Sequence, residues 1–181
     1  EANYVQPQVI EGRLFNDYPG VIHVHGEASH DSQGSRRKIV ADARRARCRF
    51  LVMTDHDSLA WKPFEGLHDG LLLLVGNEVS TDDGHLLVLD DGAYAIIAHP
   101  TLSKKPWTAW PPAPGIAGLE VYNVFADAYD ESWPLLLLKL LLVYPFFPNS
   151  ALAIAVDRPD DALERWDELL QERPFVGLAG S

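Results

Sequence analysis

A series of short apolar segments runs along the chain, and most of them stop at a histidine or a carboxylate. The segment Phe50–Thr54 is the clearest, because a continuous apolar run of this length is typical of strands buried in parallel sheets. The predicted strands are Val21–His25, Phe50–Thr54, Leu71–Val75, His85–Leu89, Ala95–Ala98, Gly118–Val121 and Phe175–Leu178. This pattern restricts the fold to one built on repeated short strands.

Helical periodicity is clear in some of the intervals between these strands and missing in others. One helix is predicted over Arg36–Arg47 with Ser35 as its N-cap, and another over Asp160–Gln171, directly after Pro159. With 181 residues, the chain suits one domain with one core. We therefore predict an α/β domain whose mostly parallel sheet is closed or nearly closed into a barrel.

The longest apolar stretch, Leu135–Phe147, is interrupted by Lys139 and Pro145. It is shorter than the ~20 apolar residues that a membrane-spanning helix needs. We predict a buried or interfacial helix there and no transmembrane segment. The chain begins at Glu1 rather than Met, which favours an exported protein over a cytoplasmic one.

The formal net charge of the chain is -11, and such a chain repels the nucleic-acid backbone. The one basic cluster, Arg36–Arg49, falls largely on a predicted helix and is read as a solvated face. Stable nucleic-acid binding is therefore not expected. Cys48 is the single cysteine, so no intrachain disulfide is possible, and its position before an apolar strand favours a structural role.

Imidazoles and carboxylates gather at or near the ends of the predicted strands. His23 and His25 stand two residues apart, so that on a regular strand they project from one face. The other members of this group are Asp55, His56, Glu78, His85, His99 and Glu120. In a parallel barrel, the carboxyl ends of the strands form the rim on which active sites are built.

Imidazole and carboxylate together form a ligand set for zinc, manganese or iron. Five of the seven histidines fall at predicted strand ends, and burying so many imidazoles without partners would be costly. A carboxylate such as Glu78 can bridge two metals, and a metal pair activates water for hydrolysis. His68 lies in a polar loop and is read as an ordinary surface residue, while the role of His30 is left open.

At this point the residues resemble the PHP (polymerase and histidinol phosphatase) family of metal-dependent hydrolases. Five motifs occur in the family's order, followed by a segment similar to its next strand. They are His23-Val24-His25 with Ser29 to Asp31, Thr54-Asp55-His56-Asp57, Gly76-Asn77-Glu78, Gly84-His85 and His99-Pro100, and the strand segment is Gly118-Leu119-Glu120-Val121-Tyr122-Asn123. The similarity covers most of residues 21 to 180.

This resemblance implies a distorted TIM-like (β/α)7 barrel that holds two or three divalent ions, zinc, manganese or iron. It implies three ligand groups: His23, His25 and Glu78; Glu78, His85 and His99; and His56 with Asp31. Asp31 stands one residue later than in many members, so His30 is an alternative ligand.

Two departures from the family pattern concern the extent of the chain. The family's last motif is Asp-x-His after Gly-Ser, and the sequence stops at Gly180-Ser181. The connection from His85 to His99 is also short. We therefore expect a single PHP-like domain over residues 1–181 that lacks its C-terminal part and a flexible segment near residues 90–93.

The resemblance implies hydrolysis of a phosphomonoester or phosphodiester by a hydroxide that bridges two metals, with a small phosphate ester or nucleotide as substrate. The residues expected to carry catalysis are His23, His25, His56, Glu78 and His99. Asp55 is expected to orient the His56 region rather than bind metal. Arg36, Lys104 or Lys105 could meet a phosphate, although each is also an ordinary surface charge.

Two alternatives stay open. A metal-dependent hydrolase could act on a carboxyl ester or carbamate, for which the aromatic segment 107–112 could line an apolar pocket unless it is ordinary loop packing. A non-catalytic metal-binding module is the other alternative, and the absence of the last motif supports it. A DNA exonuclease, a further role in this family, is disfavoured by the net charge. The oligomeric state is not determined.

Overall fold

The computed structural model of the protein describes residues 6–130, 132–147 and 157–180. The chain divides into two compact units. The first consists of Glu1–Val79 with Leu87–Ala93, and the second of Ser80–Leu86 with Tyr94–Ser181.

The first unit contains an antiparallel strand pair and a four-stranded sheet. The pair is formed by β1 (Gln6–Ile10) and β2 (Arg13–Asp17). The strands of the sheet are β3 (Gly20–Val24), β4 (Phe50–Met53), β5 (Gly66–His68) and β6 (Leu71–Val75). Their order is β3-β4-β6-β5, with β4 parallel to both β3 and β6, and β5 antiparallel to β6.

Helix α1 (Arg36–Arg45) connects the parallel strands β3 and β4. The predicted N-cap is confirmed, because the Ser35 side chain accepts a hydrogen bond from the backbone N–H of Lys38. The helix ends two residues earlier than predicted, and Arg47 follows in a left-handed conformation with φ of 63°. Ile39, Val40 and Ala43 lie on the face that packs against the core, at the spacing of an amphipathic helix.

The core of the first unit is built on β4 and β6. Leu51, Val52 and Met53 are all buried, which confirms the prediction that this strand is covered on both faces. In β6, by contrast, burial alternates along an entirely apolar segment, and Leu72 and Leu74 are exposed. This alternation is the period of a strand with one buried face.

The second unit contains parallel strands and most of the helices. Its strands are β7 (Asn77–Thr81), β8 (Gly84–Leu89), β9 (Tyr94–Ala98), β10 (Ile116–Asn123) and β11 (Val176–Gly180), of which β7 and β8 belong to it only through Ser80–Leu86. The sheet order is β11-β10-β9-β8-β7, and β10 is parallel to both β9 and β11. The helices are α2 (Val124–Asp130), α3 (Trp133–Val143) and α4 (Asp160–Glu172).

Helix α4 lies close to its predicted position and supplies Leu169 to the core of this unit, beside Ile97 and Leu119. Helix α3 overlaps the predicted apolar stretch but begins two residues before it and ends four residues before its end. Its side chain at Leu136 is buried, but Leu137 and Leu141 are more than half exposed. No helix in the described part of the chain is long and apolar enough to cross a membrane.

The prediction of a distorted TIM-like (β/α)7 barrel is wrong. Among the described residues, the strands form three separate sheets of two, four and five strands, and none of these sheets closes. A (β/α) barrel needs a helix after each strand. Here only Gly76 lies between β6 and β7, and a turn at Asp82 and Asp83 joins β7 to β8. These connections are too short for the crossover that parallel neighbours require.

The prediction of a single domain that lacks residues after Ser181 and near residues 90–93 stays a prediction. The segment Asp90–Gly92 forms a 3-10 turn in which all three residues have positive φ.

Candidate metal centre

The first unit brings its predicted ligands together through adjoining strand ends and loops. His23 lies in β3 and His25 follows it directly, while His56 lies in the loop after β4. Glu78 lies within β7 rather than after a strand. The segment after β4 runs beside Glu78, because Asp55 O accepts from Glu78 N at 3.1 Å and Glu78 O accepts from Asp57 N at 3.0 Å. His56 and Glu78 therefore face each other as an isolated parallel bridge.

The backbone of His23 departs from a regular strand. Its φ is 65°, and the pairing of β3 with β4 shifts register between Val21 and Val24. A non-glycine residue in this conformation is uncommon, and local irregularities of this kind re-aim side chains near functional sites. The imidazoles of His23 and His25 lie with ring centroids 5.1 Å apart. Their proximity thus depends on the irregular strand and not on the simple two-residue period.

Three imidazoles converge on one carboxylate oxygen, Glu78 Oε2. His23 Nε2 and His25 Nε2 each lie 2.9 Å from it, and His56 Nε2 lies 3.5 Å from it. Glu78 and His23 are almost fully buried, with exposed fractions of 1% and 4%. A buried carboxylate that gathers several imidazoles is the arrangement expected of a cation site or of a strongly paired ionic cluster.

The spacing of these atoms fits a metal ion. Ligand atoms bound to zinc at 2.0–2.1 Å in tetrahedral geometry lie roughly 3.3 Å apart, which is close to the separations seen here. One ligand atom each from His23, His25 and Glu78 lie within 4.8 Å of one another. The buried histidine and glutamate cluster could therefore hold a metal ion.

A second group of ligand atoms adjoins the first and shares His25. His25 Nδ1 lies 3.0 Å from both carboxylate oxygens of Asp31, and His56 Nε2 lies 3.5 Å from Asp31 Oδ2. His25, Asp31 and His56 also offer one atom each within 4.8 Å. His25 therefore contacts Glu78 through one ring nitrogen and Asp31 through the other. In metal sites, a carboxylate on the second ring nitrogen orients the imidazole and raises its basicity.

His30, the predicted alternative to Asp31, lies beside His56 with the two ring centroids 4.7 Å apart. His30 is exposed. The carboxylate of Asp31 contacts both His25 and His56.

The charges in this cluster shift two pKa values in opposite directions. Burial lowers the pKa of His25, but the hydrogen bonds to Glu78 and Asp31 outweigh burial and raise this pKa above its usual value. Burial raises the pKa of Asp31, but hydrogen bonds from Ser29 and His25 outweigh it and bring this pKa down to about 2. Both shifts favour a protonated His25 beside an ionised Asp31 in the metal-free protein.

Asp55 is buried beside the cluster, and its carboxylate contacts the loop backbone at Gly26 and the side chain of Trp61. Its Oδ1 accepts a hydrogen bond from Gly26 N, and burial raises its pKa although this hydrogen bond opposes the shift. Asp55 thus ties the segment after β4 to the segment after β3. This placement agrees with an orienting role, which stays a prediction.

In the second unit, His85 and His99 lie together, with ring centroids 5.2 Å apart in an edge-on arrangement. His99 has a φ of 27°, and its backbone N–H donates to Glu120 Oε2 at 2.8 Å. The predicted ligand group of Glu78 with His85 and His99 is divided between the two units, and it stays a prediction.

Glu120 is one of the carboxylates that the sequence places near strand ends, but the sequence predicts no ligand or catalytic role for it. It is 1% exposed, and it also accepts a hydrogen bond from Asn123 Nδ2 at 3.2 Å. A carboxylate in the middle of an apolar strand is the sequence feature that indicates a buried, hydrogen-bonded role for Glu120, because such a residue is rarely buried without partners.

The side chains considered for substrate contact lie in ordinary packing environments. The Arg36 guanidinium stacks on the ring of Phe64, 3.3 Å from its centroid. Trp107 is buried in the second core, and the indole N–H groups of Trp107 and Trp110 donate to carbonyls of their own loop. Lys104 is exposed and Lys105 half-buried. His68 was predicted to be an ordinary surface residue. It is exposed, and its Nε2 lies 2.7 Å from Phe64 O.

No protein-family model matches this chain, and comparison with curated proteins finds no match either.

Proposed function

We propose that this protein is a hydrolase of phosphate esters that depends on divalent metal ions held by His23, His25 and Glu78. The observation that carries the proposal is the approach of two imidazole nitrogens to Glu78 Oε2, each at 2.9 Å, in a buried position. Such an oxygen with two imidazoles supplies a mixed nitrogen and oxygen ligand set, which suits zinc, manganese or iron.

The adjoining group supports more than one ion. Asp31 and His56 lie next to the first group, and His25 contacts both carboxylates. When bound, a pair of divalent ions lowers the pKa of water and neutralises the oxygens of a phosphoryl group. The chain's own contribution is to fix the ligands, and the imidazoles must give up their protons before they can bind metal.

The exposure of the ligands supports catalysis over a purely structural metal. The exposed fraction rises from 1% at Glu78 and 4% at His23 to 43% at Asp31. Structural metal sites are closed by protein ligands, whereas catalytic sites keep an open position for water and substrate. The cluster is closed at Glu78 and open at Asp31, so a substrate would approach from the side of Asp31.

The choice of a phosphate ester rests on the similarity of the sequence motifs to those of the PHP hydrolases. The net charge of -11 favours a small phosphate ester or nucleotide over a nucleic-acid strand. The rival carboxyl-ester substrate gains no support from Trp107, because this side chain is buried in the core of the second unit.

The test compares the protein freed of metal by a chelator with the same protein reloaded with manganese or zinc. Its substrates are nitrophenyl phosphate, bis-nitrophenyl phosphate and nitrophenyl acetate. We expect phosphate-ester cleavage that needs metal and is lost in His23→Ala and Glu78→Gln. His68→Ala is the matched control, since His68 is an exposed histidine of the same unit outside the cluster.

Each outcome has a distinct meaning. Metal-dependent cleavage of the phosphate substrates alone would support the proposal. Cleavage of nitrophenyl acetate alone would replace it with a carboxyl-ester hydrolase. Metal bound at the cluster without turnover of any substrate would indicate a non-catalytic binding module.

A further inference from the structure

Ser29 is buried in the loop between β3 and α1, although its neighbours along the chain are more open. Its exposed fraction is 5%, whereas His30 and Asp31 are exposed. The backbone N–H of Ser29 donates to Gly26 O at 3.0 Å, so the loop turns tightly at this point. The hydroxyl is therefore held inside the cluster while the residues after it reach toward solvent.

The Ser29 hydroxyl contacts three members of the candidate metal centre. It donates to Asp31 Oδ1, it accepts from the backbone N–H of His56 at 3.2 Å, and it lies 3.4 Å from His25 Nδ1. A hydroxyl has one donor and two acceptor positions. The Ser29 hydroxyl uses its donor position to bond Asp31 and one of its acceptor positions to bond the His56 backbone N–H. It therefore links the loop after β3 with the loop after β4.

We infer that Ser29 is a positioning residue of the metal centre, which sets Asp31 and His56 in the places where they meet His25. This inference rests on the proposed function. The hydroxyl fixes the rotamer of Asp31 by donating a hydrogen bond to its carboxylate, and it fixes the backbone of His56 by accepting a hydrogen bond from its N–H. Partners of this kind that orient metal ligands change metal affinity by about 10–100-fold when they are removed.

Substitutions that keep or remove the hydroxyl distinguish a positioning role from a packing role for Ser29. Alanine at position 29 would keep most of the volume but remove both hydrogen bonds. Threonine would keep the hydroxyl and add a methyl group. A role in packing predicts that alanine is tolerated better than threonine, whereas a positioning role predicts the reverse for metal binding.

The experiment measures the affinity of metal-free protein for Co²⁺ by its visible absorption, in the wild type and in Ser29→Ala, Ser29→Thr, Asp31→Asn and the double variant Ser29→Ala/Asp31→Asn. Ser35→Ala is the matched control, because Ser35 caps α1 in the same unit. Urea unfolding of each variant reports stability separately.

We expect Ser29→Ala to weaken Co²⁺ binding by about 10–100-fold and to change the shape of the absorption band, with Ser29→Thr restoring much of the affinity. The loss should shrink markedly in the Asp31→Asn background, since coupled residues are not additive. Ser35→Ala should lower stability and leave Co²⁺ affinity unchanged.

Wild-type affinity in Ser29→Ala would overturn the inference and leave the proposed function standing. An equal loss in both backgrounds would also overturn it, because the serine would then act independently of Asp31. Absence of Co²⁺ binding by the wild type would remove the proposed function and this inference together. If Ser29→Ala does not fold, the Co²⁺ affinities of Ser29→Thr and Asp31→Asn are compared. Weaker binding by Ser29→Thr than by Asp31→Asn would count against the inference.

Discussion

The backbone of Gly26 lies directly against the indole ring of Trp61. A Cβ atom added to Gly26 would stand 2.6 Å from Cζ2 of that ring, well inside van der Waals contact. Trp61 is buried in the core of the first unit, so the ring has little room to move. Gly26 also donates its N–H to Asp55, which makes this contact part of the support of the candidate metal centre.

We predict from this contact that Gly26→Ala destabilises the protein by about 1–3 kcal/mol, the usual cost of overpacking a core. The free energy of urea unfolding measures the change. Gly115→Ala is the matched control, because a Cβ there meets no atom within 4 Å and its φ is not positive. Equal stabilities of the two variants would show that the Trp61 ring yields easily.

Removal of metal should lower the thermal stability of the protein. A ligand present at 100 times its Kd stabilises the folded state by ~2.7 kcal/mol, which raises Tm by roughly 5–10 °C for a chain of this size. Differential scanning calorimetry with Mn²⁺ or Zn²⁺ against chelator measures this shift. His23→Ala should abolish the shift and His68→Ala should keep it. A shift that persists in His23→Ala would place the ion elsewhere.

The pairing of His25 with Asp31 predicts a pH dependence in the metal-free protein. The pKa of His25 is raised when folded, so its contribution to stability is complete below the usual histidine pKa and is lost as pH rises through the raised value. Asp31 behaves in the opposite sense, since its folded pKa is lowered to about 2. Its contribution is present above its usual pKa and is lost as pH falls toward about 2.

NMR titration of the histidine ring protons tests this pairing. Asp31→Asn removes a carboxylate that lies 3.0 Å from His25 Nδ1, and it should lower the pKa of His25. An unchanged pKa at His25 would mean that Glu78 alone raises it.

The buried Glu120 carboxylate should be important for the stability of the second unit. Glu120→Ala would leave the backbone N–H of His99 and the side-chain amide of Asn123 without this acceptor. Losing a buried acceptor of this kind costs about 1–3 kcal/mol. Urea unfolding should report the loss, with the exposed Glu164→Ala as control. A loss no larger than in Glu164→Ala would show that water replaces the carboxylate.

Local structure was predictable wherever the evidence was local. Ser35 was predicted as an N-cap because its side chain needs only the N–H groups of the next turn. The strand at Leu71–Val75 was predicted at its observed bounds from a run of apolar residues. Helix α4 likewise lies within one residue of the predicted range. Each of these depends on residues that are neighbours in sequence.

The barrel was not predictable in the same way, because sheet closure depends on which strands pair. The segments β6 and β8 were both read as strands of one parallel sheet, yet they belong to different sheets. Gly76 explains part of the difference. A Cβ at this position would lie 2.4 Å from Val88 O. Only glycine therefore allows the chain to pass so close to the Val88 backbone as it leaves β6 and enters β7.

The sequence by itself determined which residue types stand at the ends of the apolar segments, and this pattern, with the resemblance to the PHP motifs, indicated His23, His25, Asp31, His56 and Glu78 as candidate ligands. Tertiary structure decided that these side chains meet. His25 and Glu78 are far apart in the chain. The irregular backbone at His23 and the pairing of Glu78 with the segment after β4 bring their atoms to 2.9 Å. The residue types available as candidate ligands are a property of the sequence, whereas the distances between them are set by backbone hydrogen bonds between distant segments and by the core that holds them.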